Sequence, residues 1–205
     1  AENLHERGLF VTLVEGADQI LAPFDPEMAA IVHAHMREKH VELYLSAKVE
    51  RFEDKADHTV VYLHNGQRLQ ADIVILAIGV RPETTLARAA GLEIGATGGI
   101  RVDEYLQTTD PAIFAVGDAT EVTQAISGKP ALIPLAGPAN RQGRIAADVI
   151  RGRDSKFRGV QGTAICGVFD IAVACTGASE KSLQRASITD YEKVYLHPAN
   201  HVGYY

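Results

Sequence analysis

The sequence has 205 residues, and 20 Lys plus Arg against 26 Asp plus Glu leave a formal net charge of −6, which argues against a nucleic-acid polyanion as the main partner. At 46% apolar and 22% charged residues, the composition is that of an ordinary globular chain with enough material for a core, and it excludes a disordered or fibrous one. The longest apolar run, residues 73–80, is less than half of the roughly 20 residues that a membrane-spanning helix needs, so no membrane partner is expected.

Ala1-Glu2-Asn3-Leu4-His5-Glu6-Arg7-Gly8 reads as the end of a helix stopped by Gly8, with neither an initiator methionine nor a signal peptide. At the other end Gly203-Tyr204-Tyr205 stops without a polar tail, and both termini read as internal to a longer protein. Residues 9–15 are β-branched and nearly continuous in apolar character, the pattern of a strand buried on both faces of a parallel sheet, and the run closes on Glu15. Asp25-Pro26 offers an N-cap followed by Pro at the first helical position, and Met28, Ile31, Val32, His35 and Met36 make one apolar stripe up to about His40. Short strands follow over residues 41–45, 48–54 and 59–64, and Asn65-Gly66 closes a hairpin onto residues 67–70 with both central positions expected at positive φ.

Residues 73–79 form the second deeply apolar strand, ending at Gly79-Val80-Arg81-Pro82, where proline prevents simple continuation. A short helix over 84–90 stops at Gly91, and Ile100-Arg101-Val102 follows a glycine-marked turn. Residues 113–116 read as a third short buried strand ending at Gly117-Asp118, residues 120–137 as a loop, and Pro138 as the start of a helix that ends near Gly152 and carries Ile145, Ala146, Val149 and Ile150 on one side. The composition shifts at residues 151–156, a linker between folding units; beyond it, 163–166 and 169–176 read as strands, 179–185 as a helical turn or two, and 191–196 alternates. The order is α/β first, then an α+β piece, with no internal repeat.

Four features carry chemistry. Glu15, an acid closing a buried strand, can accept hydrogen bonds from both hydroxyls of an adenosine ribose and would repel a 2′-phosphate, although an acid after a strand is also an ordinary solvated loop residue. No GxGxxG occurs in these residues to accompany it. Gly117-Asp118, at the carboxyl end of a parallel-type strand, lies where open α/β sheets place ligands, and its carboxylate can bind a sugar or ribityl hydroxyl; the plain alternative is a turn. Ala136-Gly137-Pro138-Ala139-Asn140-Arg141-Gln142-Gly143 puts small residues at a helix N-terminus, where unpaired N–H groups and the dipole attract negative charge and Gly143 permits close approach; the alternative is a plain capped helix with exposed Arg141 and Arg144. Tyr204 and Tyr205 either pack in a sheet or donate phenol hydrogen bonds to a substrate.

The two cysteines, Cys166 and Cys175, are too few for a disulfide framework and form no CxxC pair, so they read as buried, inert thiols of a protein in a reducing, cytoplasmic compartment. His197 and His201 are four apart, but Pro198 and Gly203 break any helix, so no metal site is expected.

Three segments in order, Ala77-Ile78-Gly79-Val80-Arg81-Pro82-Glu83, Ile113-Phe114-Ala115-Val116-Gly117-Asp118-Ala119, and Pro134-Leu135-Ala136-Gly137-Pro138-Ala139-Asn140-Arg141-Gln142-Gly143, resemble the pyridine nucleotide-disulfide oxidoreductases, in particular the branch of CoA-disulfide reductases, persulfide reductases and NADH oxidases. His197-Pro198-Ala199-Asn200-His201-Val202-Gly203-Tyr204-Tyr205 is similar to a stretch of the CoA-disulfide reductase branch. The resemblance implies an α/β chain of partial FAD/NAD(P)-binding three-layer ββα domains, followed by the start of an α+β dimer-interface domain: a partial NAD(P)H domain over 1–78, the carboxyl-terminal segment of an FAD domain over 79–152 and part of a dimerisation domain over 156–205.

By the same resemblance Glu15 matches the ribose-binding acid, Gly79 the glycine that lets the backbone pass the dinucleotide, and Gly117, Asp118 and Ala119 the turn that holds the FAD ribityl chain. Leu135, Ala136, Ala139, Asn140 and Gly143 match the helix opening that faces the flavin, and one of Tyr204 and Tyr205 the tyrosine that assists substrate thiolate chemistry. The implied cofactors are FAD and NAD(P)H, with NADH favoured; the implied partners are CoA disulfide, a persulfide or oxygen, and a second copy in a homodimer. The family's FAD glycine motif and redox-active cysteine lie in its amino-terminal half and have no counterpart here; neither Cys166 nor Cys175 matches that cysteine. A noncatalytic redox-sensing protein and a ferredoxin-type reductase are the alternatives.

Overall fold

The computed structural model describes residues 1–199. In chain order the elements are α1 (Glu2–Glu6), β1 (Thr12–Val14), α2 (Pro26–Glu38), β2 (Glu42–Tyr44), β3 (Val49–Asp54), β4 (Thr59–Leu63), β5 (Arg68–Ala71), α3 (Thr85–Ala89), β6 (Ile100–Arg101), β7 (Thr120–Thr123), β8 (Pro130–Ala131), α4 (Ala136–Ile150), β9 (Ala164–Val168), β10 (Ile171–Cys175) and α5 (Glu180–Arg185). Helices and mixed sheets make an α/β chain, and no helix among the described residues is long and apolar enough to cross a membrane.

β1 and β2 pair in parallel, Leu13 opposite Leu43, with α2 as the crossover between them. The strand is shorter than the apolar run suggested: Val11 is buried, whereas Leu9 and Phe10 are exposed because no strand among the described residues covers them. Asp25 and Pro26 open α2 as expected, but the buried stripe is Ala29, Val32, His33 and Met36, one position round from the predicted one, and Met28 and Ile31 are exposed. The reason is long-range: the β9–β10 hairpin brings Val168, Ile171, Val173 and Cys175 onto the cluster of Val11, Phe24, Val32, Met36 and Val41. Full burial of a side chain such as Val32 is worth about 1.5–3 kcal/mol. Asp25 does not cap its own helix; its carboxylate accepts the Glu180 and Lys181 N–H groups at 2.9 and 3.1 Å and so caps α5.

β3, β4 and β5 form an antiparallel meander. Its Asn65-Gly66 turn departs from the predicted two-residue form: Gly66 N–H donates to Leu63 O and Leu63 N–H to Gln67 O, and only Gly66 lies at positive φ, +85°. That is a three-residue loop, a type I turn followed by one left-handed glycine. The 73–79 strand is not formed. These residues make no backbone hydrogen bond among the described residues, and Ile78 and Val80 are 89% and 80% exposed. A parallel-sheet strand exists only against neighbours, and none is offered here.

Two further expectations change. Residues 113–116 form only the isolated bridge Gln107↔Phe114, so Gly117-Asp118 leads into β7 rather than out of a strand, while the expected loop at 120–137 contains β7 and β8, paired antiparallel. The alternating segment 191–196 forms no strand. It is tied down by charge instead, with Lys193 paired to Glu27 at 2.6 Å and to Glu180, and Tyr195 also donating to Glu27. These contacts hold the Glu27 carboxyl at about 2, with the Lys193 ammonium the largest cause. Cys166 is exposed on the open hairpin β9–β10 rather than buried, and Cys175 is half-buried; both are free thiols.

Candidate functional site

The site is built where the 113–120 segment meets α4. Leu106, fully buried, packs with Ile145 and Ala146 of α4, and Phe114 and Val149 lie against the same cluster. Ala115 N–H donates to Leu106 O at 3.1 Å, which lays the segment before Gly117 along this core. Gly117 then turns at φ +89°, a left-handed conformation that costs glycine least. β7 starts at Thr120, paired in parallel with Ile100 of β6, and Ile100 N–H donates to Ala119 O at 2.7 Å.

One buried side chain joins this turn to the helix. Gln142 is 1% exposed; its Oε1 accepts the Gly117 N–H at 2.7 Å and its Nε2 donates to Thr120 Oγ1 at 3.3 Å. Thr120 Oγ1 in turn donates to Gly117 O at 2.8 Å, so three hydrogen bonds close a ring around the Gly117 peptide. Asp118, beside it, is exposed, and its carboxylate has no hydrogen-bond or ion-pair partner among the described residues.

At the mouth of α4, Leu135 stands in the N-cap position without a side-chain cap, and no acidic residue sits in the first turn. The helix opens at Ala136, two residues before the predicted Pro138. Ala136 and Gly137 are exposed, and their N–H groups have no partner among the described residues. Ala139 N–H is used by Leu135 O, and Asn140 folds back through Nδ2 onto Ala136 O. Added side-chain carbons at Gly137 and Gly143 would meet nothing within 4 Å, so that side of the helix is open. Gln142, in the second turn of α4, ties the Gly117-Asp118 turn to this helix; an exposed carboxylate can accept hydroxyl hydrogen bonds, and unpaired N–H groups at a helix start attract negative charge.

Glu15 stands apart from this ring. It follows β1 directly, its N–H donates to Tyr44 O, and its Oε1 accepts the Ala17 N–H at 2.8 Å, which leaves Oε2 without a partner among the described residues. The loop after it is pinned by Gln19 Nε2 donating to Phe24 O at 3.0 Å and by Ile20 N–H donating to His33 Nε2 at 3.3 Å; burial pushes the His33 imidazolium pKa down, in keeping with that acceptor role. Gly79 sits at φ +87° in the unpaired run. Tyr204, Tyr205 and His201 lie outside the described residues. Among those described, no cluster of three or more His, Cys, Asp or Glu could hold a metal. A cavity of about 320 Å³ beside Glu93, Arg101 and Gln107 is lined by none of the site candidates, and Arg101 there is already paired with Glu93.

Sequence reasoning missed Gln142 and Thr120 as parts of this site. The signal was present: Gln142 occupies the same stripe as Ile145, Ala146 and Val149, where an amphipathic helix puts apolar residues. A polar residue on a buried stripe must find partners.

Fold and site together define an α/β protein in which a glycine turn carrying an exposed carboxylate is hydrogen-bonded to a helix whose first N–H groups are free among the described residues. The chain belongs to the pyridine nucleotide-disulphide oxidoreductase family, whose model matches residues 1–143. It is 39% identical over 191 residues to the NADH oxidase of Methanocaldococcus jannaschii, across 92% of this chain and 42% of that protein. It is 28% identical over 205 residues to the coenzyme A disulfide reductase of Staphylococcus haemolyticus, across 100% of this chain and 45% of that protein. The crystal structure of reduced Bacillus anthracis CoADR-RHD matches with a TM-score of 0.88 at 50% identity, covering 92% of this chain and 34% of that one. The chain therefore spans 42% and 45% of the length of these two curated relatives.

Proposed function

We propose that these residues are part of a flavin-dependent NAD(P)H oxidoreductase that passes electrons to CoA disulfide, a persulfide or oxygen. The observation that carries this reading is the Gln142 ring, which ties the Gly117-Asp118 turn to the second turn of α4. FAD, when bound, supplies hydride acceptance from NAD(P)H and electron delivery to the acceptor. Asp118 would accept hydrogen bonds from ribityl hydroxyls, and the free N–H groups of Ala136 and Gly137 would present partial positive charge to the ring. Gly117, Ala119, Leu135, Ala139, Asn140 and Gly143 would shape the wall around it. Glu15 would accept the adenosine ribose hydroxyls of NADH, its unpaired Oε2 being free to do so. Gly79 would let the chain pass the dinucleotide, and Tyr204 or Tyr205 would serve the acceptor thiolate.

The boundaries at 1–78, 79–152 and 156–205 go with this reading, as do a cytoplasmic location and a homodimer. The unpaired apolar run at 73–80 supports it, because such a run needs strands supplied from outside these residues. The coenzyme half is tested in the full-length protein. Anaerobic NADH is expected to bleach the flavin band, and Glu15→Ala to raise the NADH KM about tenfold, the loss of one hydrogen bond to a charged group, while narrowing the preference over NADPH. No bleaching by either coenzyme sinks the oxidoreductase reading; unchanged kinetics for both in Glu15→Ala removes Glu15 from the ribose site.

A further inference from the structure

Gln142 is a buried amide in the second turn of α4, in a position that leucine would fill with apolar volume at no desolvation cost. Its side chain is used at both ends, and its two partners, the Gly117 N–H and Thr120 Oγ1, flank the carboxylate of the candidate site. Thr120 closes the ring onto the carbonyl of the same glycine, so N–H and C=O of Gly117 are both fixed. Asp118 makes no side-chain hydrogen bond or ion pair among the described residues, so its direction follows from the backbone on either side: Ala119 O, which receives the Ile100 N–H at 2.7 Å, and Gly117, which at φ +89° has no local preference strong enough to hold it without the Gln142 ring.

We propose that Gln142 is a positioning residue that, by tying the Gly117 turn to the second turn of α4, sets the aim of the Asp118 carboxylate toward a bound ligand. The proposal rests on the flavin reading of this site. Gln142 touches no ligand; it acts through the Gly117 peptide.

The test is FAD affinity, measured by titrating the apo form of the full-length protein, with unfolding midpoints recorded beside it. Gln142→Leu is expected to weaken FAD binding about tenfold, as the loss of one partner of a buried hydrogen bond predicts. Gln142→Glu, whose carboxylate still accepts the Gly117 N–H, is expected to recover most of that loss. Thr120→Val, close to threonine in shape, removes the hydroxyl that closes the ring and is expected to weaken FAD in the same direction. The decisive arm pairs Gln142→Leu with Asp118→Ala: if Gln142 works through Asp118, the double variant binds FAD no more weakly than Asp118→Ala alone. Fully additive losses, or a lowered unfolding midpoint with unchanged FAD affinity in Gln142→Leu and Thr120→Val, overturn the positioning role and leave the flavin site standing. Unchanged affinity in Asp118→Ala overturns the flavin reading itself, and the proposal with it.

Discussion

Asp118→Ala in the full-length protein is expected to weaken FAD binding about a hundredfold, and flavin is expected to wash out during dialysis. The magnitude follows from the loss of two charge-assisted hydrogen bonds at about 1.5 kcal/mol each, the lower end of their range. The substitution should leave the fold intact, because Asp118 is exposed and its side chain makes no hydrogen bond or ion pair among the described residues. Asp118→Asn keeps one carbonyl acceptor and should fall between the wild type and alanine. Absorbance of the protein-bound flavin after dialysis, set against an unchanged thermal midpoint, measures the effect. Equal flavin content in all three proteins removes Asp118 from the site.

Leu106→Ala is expected to cost about 3 kcal/mol of stability, within the range for emptying a fully buried leucine site. Leu106 is 0% exposed, and the cavity would open between the 102–114 segment and the inner face of α4. Leucine already sits at φ +67°, and alanine keeps a β-carbon there, so the backbone cost is not relieved. A urea titration should show a lower midpoint with an unchanged slope. Because the Leu106 side chain anchors the backbone whose carbonyl receives the Ala115 N–H, relaxation into the emptied site should lower flavin affinity along with stability, unlike the Asp118 variants, in which affinity falls alone. A midpoint within experimental error of the wild type would place the core of this half elsewhere.

The sequence made the helices and the meander legible because their signals are local. Asp25-Pro26 opens α2, Asn65-Gly66 ends β4, and small residues lead into α4. What misled was set by distant partners. The face of α2 is chosen by a hairpin more than a hundred residues later in the chain, and the composition of residues 26–38 holds no trace of it. Residues 73–79 have a strand's composition without a neighbour to pair with, and composition cannot report a missing partner. Cys166 reads as a buried thiol from its apolar neighbours, yet it lies on a two-stranded hairpin that no other strand among the described residues covers.

The site divided in the same way. Asp118 and the opening of α4 could be named separately from residue type, whereas the link between the Gly117-Asp118 turn and α4 is carried by Gln142 and Thr120, residues whose roles appear only when 25 positions of chain fold back on themselves. Glu15 could be named from its place after a strand, while the hydrogen bond that occupies one of its two oxygens belongs to the turn that follows.

A crystal structure of the full-length protein grown with FAD is the most direct measurement. It should show the Asp118 carboxylate within hydrogen-bond distance of the ribityl hydroxyls, with the first N–H groups of α4 turned to the flavin ring and Gln142 still bonded to Gly117. Flavin seated elsewhere, with Asp118 left in solvent and the mouth of α4 closed by protein, would contradict the assignment.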